Sequence, residues 1–464
     1  MTEKTAKVKQ HLVCGAEFDC EYLGDLTTAG TRGTQYTNLI DWDGRIPLHA
    51  KDTEGPTKKV PGLQIDGYFF DDASQTTLAP NNFYGSFFAN KKKYPFDSQF
   101  VIRFPNPSLW NGKLVITGAP GVRGQYANDF IIGDFVLEKG YAFASTDKGN
   151  SGTRFYSADQ KLGEAVAEWH RRINQLTEAA KDAAEKYYGE KPSRTYITGT
   201  SNAGYLTRYA LENYPELYDG GVDWQGVLWL PEPEGPNLLT FLPVALKNYP
   251  RYIDPYISDA GRDDARDKII DAGFPGKKEV DSTEKEFFDA LWEYHYENYW
   301  NSTQRTFREE FDPYYAGADA DYAYAERINP EKNPLGKLFA DAIKDAVAKV
   351  SLTGNIGKAL ITLHGTLDTL LPIAETSGKY AELVKSAGKS QLHRYYTIEG
   401  GTHIDSLYDH YPDQLRPILP CYRAAFERLI EWVEEEKLPP ESETVQRPEG
   451  GSVDVVNECS PLQC

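Results

Sequence analysis

Three segments far apart in the chain carry the side chains that nucleophilic hydrolysis requires. In the first, Thr195 to Gly204, Gly199 stands two residues before Ser201 and Gly204 three after it, with a helical pattern from Ala203 onward. The order reads as strand, sharp turn, helix. Such an elbow needs small neighbours because the turn is strained and crowded, and it lifts the serine hydroxyl above the sheet. Asn202, Ala203 and Gly204 are small or turn-tolerant, although Ala203 takes the place of the second glycine of G-x-S-x-G. On its own the segment is equally compatible with Ser201 as a plain helix N-cap. The second segment, Ala359 to Pro372, is an apolar run ending in a Gly turn with Asp368 just beyond. The third runs from Leu392 to Glu399 and delivers His403 after Gly400, Gly401 and Thr402.

A serine hydroxyl is a weak nucleophile near neutral pH, so a base within hydrogen-bond reach must take its proton. His403 is the expected base, and Asp368 is expected to hold its tautomer and stabilise the imidazolium. His364 and Asp405 are rival assignments. His364 still belongs to its strand, where a structural histidine is the commoner outcome, and Asp405 follows His403 too closely to face its ring easily. For the oxyanion the expected donors are the N–H of Asn202, at the positive end of a helix, and that of Gly121 in Gly118 to Gly124. Pro120 has no N–H to give. A merely structural Gly-rich turn is the competing reading of that loop, and an exposed loop arginine is the default for Arg123.

These groups need a scaffold. Short apolar, β-branched runs predict strands at Gln99–Phe104, Lys113–Gly118, Tyr141–Thr146, Tyr196–Thr200, Gly221–Leu230, Ala359–His364 and His393–Ile398. Helical patterns fall at Lys161–Tyr188, Ala203–Tyr214 and Tyr422–Lys437. Strands alternating with helices imply an α/β fold with a mostly parallel, doubly covered sheet. The candidate serine, acid and histidine each follow a predicted strand, in the chain order Ser, Asp, His that α/β-hydrolases use. The alternation breaks between Pro231 and about Lys349, which reads as an inserted lid. Its aromatics Trp292, Tyr294, Tyr296, Tyr299 and Trp300 either roof a pocket or, at helical spacing, form the insert's own core. The expected division is an irregular or β extension over 1–97, core over 98–230, lid over 231–352, core over 353–438 and a tail over 439–464.

The chain has 464 residues, 50 Lys plus Arg against 69 Asp plus Glu, and a formal charge of -19, which disfavours nucleic acid as a partner. No apolar run approaches the roughly 20 residues of a bilayer-spanning helix, so no membrane partner is expected. The lysine-rich start, Met1 to Gln10, has no apolar core of a signal peptide, which fits a cytoplasmic protein or a secreted one whose leader was replaced by Met1. Cys14, Cys20, Cys421, Cys459 and Cys464 match no zinc pattern, and neither a metal nor a cofactor is expected. Two readings stand for them: local disulfides Cys14 with Cys20 and Cys459 with Cys464, leaving Cys421 free, or five reduced thiols.

Beyond these residue-level readings, the chain resembles the tannase and feruloyl esterase family of α/β-hydrolases over roughly Lys113 to Gly220 and Ala359 to Lys437. Gly140-Tyr-Ala-Phe-Ala-Ser-Thr-Asp-Lys-Gly149 is similar to the family's strand ending in S-T-D-x-G, and Asn213-Tyr-Pro-Glu-Leu-Tyr-Asp-Gly220 to its Y-P-x-x-F-D-G. The resemblance implies ester hydrolysis with Ser201, Asp368 and His403 in the triad roles, and a lid inserted late in the sheet. Two departures accompany it. Family members usually carry disulfide-linked cysteines beside the serine and histidine, where this chain has Thr200, Thr402 and Ile404; and Asp319 and Asp321 are only a faint echo of the family's calcium ligands. Aromatic or phenolic esters and hydroxyalkanoate or polyester oligomers are the expected substrates. A serine peptidase and a non-catalytic binding protein are the alternatives on the same fold.

Overall fold

The computed structural model describes residues 12–30, 48–70, 98–121, 123–149, 164–231, 238–279, 281–312, 327, 331–449, 453–460 and 462–463. Within them ten strands form one sheet: β1 (Ala16–Leu23), β2 (Gly62–Phe69), β3 (Gln99–Pro105), β4 (Lys113–Gly118), β5 (Ala142–Thr146), β6 (Arg194–Thr200), β7 (Gly220–Trp224), β8 (Ala359–Gly365), β9 (His393–Ile398) and β10 (Thr444–Val445). The spatial order is β1-β2-β3-β5-β4-β6-β7-β8-β9-β10. β1, β2 and β3 pair antiparallel and β3 meets β5 antiparallel. Every neighbour from β5 to β10 is parallel.

A parallel sheet must be covered on both faces, so its central strands are apolar throughout rather than alternating. All seven residues of β8 are buried. Successive side chains still point to opposite faces. Leu114, Ile116, Ile197 and Leu360 therefore join one core, with α2 (Glu164–Tyr188) and α3 (Asn202–Asn213), while Val115, Tyr196, Ile361 and Leu363 join the other. That second core is closed by the short α1 (Asp134–Glu138) and by the long C-terminal helix α10 (Leu419–Glu435).

Between β7 and β8 the chain leaves the sheet and forms α4 (Leu238–Ile253), α5 (Asp259–Asp271), α6 (Ser282–His295), α7 (Asn301–Phe311) and α8 (Gly336–Ala348); α9 (Ser377–Ser386) follows β8. The π turn Tyr296–Trp300 joins α6 to α7 in one continuous helical rod. Trp300 is its hub: the indole is fully buried, edge-on to Tyr249 and Phe274, and its Nε1 donates to Thr369 O at 2.7 Å. Trp292 is buried as well and bonds Pro275 O. Most of the insert's aromatics thus build its own core. Among the described residues no helix is long and apolar enough to cross a membrane.

Two sequence expectations change. The strand expected over Gly221–Leu230 stops at Trp224, because Gln225 takes a left-handed φ of 56° and turns the chain out of the sheet. Val227 to Leu230 are apolar because that loop is buried, not because it pairs. The region before Asp97 includes the regular strands β1 and β2, paired over eight residues. The expected bridges also fail: Cys421 is bonded to Cys459, and Cys14 and Cys20 are not in a disulfide. Cys20 lies within extended β1, and at about 3.3 Å per residue the strand carries it beyond disulfide reach of Cys14. Cys459 instead packs on α10 beside Cys421, with their Cα atoms 4.9 Å apart. Cys464, Asp319 and Asp321 lie outside the described residues.

The Cys421–Cys459 bridge closes a loop of 38 residues, which in the chain-entropy model stabilises the fold by about 4 kcal/mol. Replacing both cysteines by alanine is expected to lower the guanidinium unfolding midpoint by a corresponding amount, and an unchanged midpoint would argue against the bridge in solution.

Candidate active site

The turn after β6 is as cramped as the glycine spacing implied. Ser201 adopts φ 57° and ψ -119°, a conformation that non-glycine residues hold only under strain. Its N–H donates to Trp224 O of β7 at 2.9 Å, and its own carbonyl accepts from Tyr205 N, the first turn of α3. A Cβ on Gly199 would stand 2.4 Å from Ala203 Cβ, and one on Gly204 would stand 2.5 Å from Asp223 Oδ1. Both glycines are thus required by contact. The second falls at Gly204 rather than at position 203 because it is Gly204 that abuts Asp223 and Gly226 of the neighbouring strand and its exit loop.

Asp368 follows β8 and is fully buried. Its Oδ1 accepts from the N–H groups of Leu370 and Leu371, each at 2.8 Å, and its Oδ2 from His403 Nδ1 at 2.8 Å and His364 Nε2 at 3.1 Å. Gln225, with its amide turned so that the oxygen accepts from Trp224 Nε1 at 3.0 Å, adds a longer contact to Oδ2 at 3.3 Å. Burial alone would push this carboxyl up; the charge of His403 and the donors on both imidazoles outweigh it and hold the group well below the usual carboxylate range. It is therefore an anion throughout the working range of pH. A carboxylate can only accept, so His403 carries its proton on Nδ1, and Nε2 keeps its lone pair.

Two glycines bring the histidine loop to this acid. A Cβ on Gly365 would lie 2.3 Å from Gly401 O, and one on Gly401 would lie 2.9 Å from Gly365 Cα. The backbones therefore touch, tied by Leu367 N–H to Gly401 O at 2.8 Å and Gly400 N–H to Thr366 Oγ1 at 3.0 Å. The rival acid is occupied elsewhere: both oxygens of Asp405 accept backbone N–H groups, of Ile418 and Leu419, at the start of α10, and burial pushes its carboxyl up to about 7. His364 meets Asp368 but does not line the cavity described next.

Ser201 and His403 share the wall of one cavity of about 160 Å³, with Asp368 behind the imidazole. Gly121 and Asn202 line the same space, and Asn202 Nδ2 donates to Gly121 O at 3.2 Å, so the two expected oxyanion donors belong to adjoining, hydrogen-bonded segments. A Cβ on Gly121 would meet nothing within 4 Å, which leaves its positive φ of 49° and open access from the cavity as the reasons for glycine. Arg123 also lines the cavity. Of the insert's expected aromatics only Tyr299 reaches it, joined by Ser302, Thr303, Thr306 and Phe307 of α7 and by Leu238 of α4.

Sequence reading missed Lys148. Its side chain is buried, and its Nζ donates to Ala119 O at 2.6 Å and Gly121 O at 3.0 Å, bracing the loop that carries Gly121. Burial lowers its pKa to about 7, with Asp147 opposing the shift and Arg123 adding to it. The available signal was a lone lysine closing an apolar strand at Ser145-Thr146-Asp147-Lys148. It also missed Thr369, which accepts from Trp300 and bonds His295 Nδ1 at 2.6 Å, anchoring the inserted helices beside the acid.

Residues 91–224 match the family model described as tannase and feruloyl esterase. A mono(2-hydroxyethyl) terephthalate hydrolase from Piscinibacter sakaiensis is 26% identical over 142 residues, 27% of this chain and 23% of the relative. A probable feruloyl esterase from Arthroderma benhamiae is 28% identical over 131 residues, 25% of this chain and 23% of the relative. The matched segment thus spans less than a quarter of either relative's length. Among solved structures, feruloyl esterase B from Aspergillus oryzae superposes with a TM-score of 0.58 at 13% identity, covering 94% of this chain and 90% of that one. Tannin acyl hydrolase from Aspergillus niger gives 0.51 at 15%, covering 93% and 87%. The chain carries an α/β-hydrolase fold, and its residues 91–224 match the tannase and feruloyl esterase family.

Proposed function

We propose that this protein is a serine hydrolase of carboxylic esters that works through an acyl-enzyme on Ser201. The observation that carries the reading is the 2.8 Å bond from His403 Nδ1 to Asp368 Oδ2, made behind a cavity whose wall His403 shares with a serine on a strained elbow. His403 Nε2 takes the hydroxyl proton as Ser201 Oγ attacks the ester carbonyl. Asp368 holds the imidazole's tautomer and balances the imidazolium without being protonated itself. The N–H groups of Asn202 and Gly121 receive the developing oxyanion, aided by the N-terminal dipole of α3. The imidazolium then protonates the leaving alkoxide, and a water activated by the same ring releases the acid.

Apolar walls from Leu238, Tyr299, Phe307, Leu370 and Leu371 favour an acyl group with a hydrocarbon or aromatic body. The volume, about 160 Å³, is comparable to cavities of about 150 Å³ that accommodate a benzene ring. An ester of a single-ring aromatic acid fits that space best, in keeping with the terephthalate and feruloyl esters in the relatives' names. The inserted helices serve as the lid that reads this group.

The decisive experiment is pre-steady-state hydrolysis of p-nitrophenyl esters of benzoate-type acids, with matched anilides as controls. Wild type is expected to give a nitrophenol burst equal to the enzyme concentration, and Ser201→Ala to give none; amide turnover exceeding ester turnover would turn the reading toward a peptidase. Asp368→Asn is expected to lower kcat by about 10⁴-fold at unchanged fold, by stranding the wrong tautomer. Lys148→Met loosens the Gly121 loop and is expected to lower kcat by about 10-fold, less than the loss of an oxyanion donor itself, with little change in KM. A depressed carboxyl contributes stability that is complete above its unfolded value of about 3.9 and fades as pH falls below it. The stability gap between wild type and Asp368→Asn is thus expected to narrow below about pH 4 in denaturant titrations, and a gap independent of pH would contradict the ionised carboxylate.

A further inference from the structure

The hydrogen bonds that hold Asp368 continue into the core beyond it. His364 Nε2 faces two acceptors, Asp368 Oδ2 at 3.1 Å and Leu371 O at 3.0 Å, and must carry a proton. Its Nδ1 lies 2.7 Å from Ser377 Oγ, the first residue of α9. The other partner of that oxygen is Arg208 Nη2 at 2.6 Å. A guanidinium has no lone pair to offer, so Ser377 Oγ accepts from Arg208 and still has a lone pair and a proton with which to meet His364 Nδ1. The Nε2–H of the ring is aimed at the carboxylate. Arg208 is held in turn by Asp223 Oδ2 at 2.6 Å, an ion pair without solvent access, and its guanidinium lies 4.4 Å from the centre of the Tyr380 ring.

The chain of hydrogen bonds runs from Arg208 through Ser377 and His364 to Asp368, and so toward His403. All are buried. The ionisable groups around it include Asp223 on β7, Glu212 on α3, Tyr380 on α9, His393 and Tyr395 on β9, and His295 on α6, whose Nδ1 bonds Thr369 Oγ1. None of them competes for Asp368 Oδ2.

We propose that His364 is a positioning residue of the reaction: a second imidazole whose Nε2–H, with the ring held by Ser377 and Arg208, fixes the plane of the Asp368 carboxylate and shares the charge on the oxygen that His403 uses. This rests on the proposed roles of Ser201, His403 and Asp368. Each further N–H donor on a buried carboxylate oxygen makes it a weaker partner for an imidazolium. Removing His364 therefore has two consequences. Asp368 can rotate, so His403 spends less time aimed at Ser201, and the imidazolium is held more tightly, so the base is switched off at a higher pH.

The test is the pH profile of kcat/KM on a p-nitrophenyl ester for the full chain, normalised to sites titrated with a fluorophosphonate. His364→Leu is expected to lower kcat by about 10-fold with KM within about twofold, and to move the acidic limb up by about half a pH unit. His364→Gln, whose side-chain N–H can reach the same oxygen, is expected to restore most of both. Ser377→Ala, which removes the partner of Nδ1, is expected to move the limb the same way by less. Wild-type kcat and limb per titrated site in His364→Leu, even with a lowered Tm, would make His364 purely structural and overturn the proposal. If that variant does not fold, an unmoved limb in Ser377→Ala overturns it instead. Labelling or turnover that persists in Ser201→Ala defeats the underlying reading; a dead Ser201→Ala beside a wild-type His364→Leu defeats this inference alone.

Discussion

A carboxylate taken out of water has to be repaid in donors, and much of the site follows from how Asp368 is repaid. It has no solvent access, so each lone pair left empty would cost on the order of 1–3 kcal/mol or more. Two donors come from its own loop, one from β8 and one from the histidine loop. Those demands set the turn after β8 and the rotamer of His364. They also require the histidine loop to be pressed against Gly365, a contact that only glycine on both sides permits. The proposed base is oriented because the acid is buried, and the acid stays ionised because the base and its neighbours reach it.

The inserted helices are fastened to the same place. Trp300 sits where the π turn joins α6 to α7, and its indole N–H and the ring of His295 both end on Thr369, the residue after the acid. The segment that contributes Tyr299, Phe307 and three hydroxyl side chains to the cavity is thereby referenced to the loop that positions the imidazole. Cavity-lining helices and the loop that carries Asp368 share one anchor, Thr369.

What could be read from the residues divides along the range of the forces involved. β4 and β9 match their expected limits, because short apolar runs between turn residues state their own ends. The serine elbow was legible for the same local reason: the glycines at 199 and 204 answer to contacts within one strand, one turn and one helix. The strand expected through Leu230 was overlong because burial in a loop and burial in a strand select the same residue types. The cysteines were misassigned because proximity along the chain was used where proximity in space decides, and an extended β1 separates the nearest candidates. Lys148 and the Arg208, Ser377, His364 chain of hydrogen bonds were beyond reach, since nothing local says that side chains from four separate elements converge.

An open sheet of ten strands has two margins, and those margins are where strange chains would be welcomed. At one, β10 is only two residues long. At the other, β1 runs for eight, but its outward positions Glu17, Asp19 and Glu21 are all acidic and exposed. Two such borders meeting would set like charges opposite one another, in a molecule whose net charge is already -19. Among the described residues the arrangement sets charge repulsion against strand-by-strand pairing, a repulsion that weakens where the carboxylates take up protons.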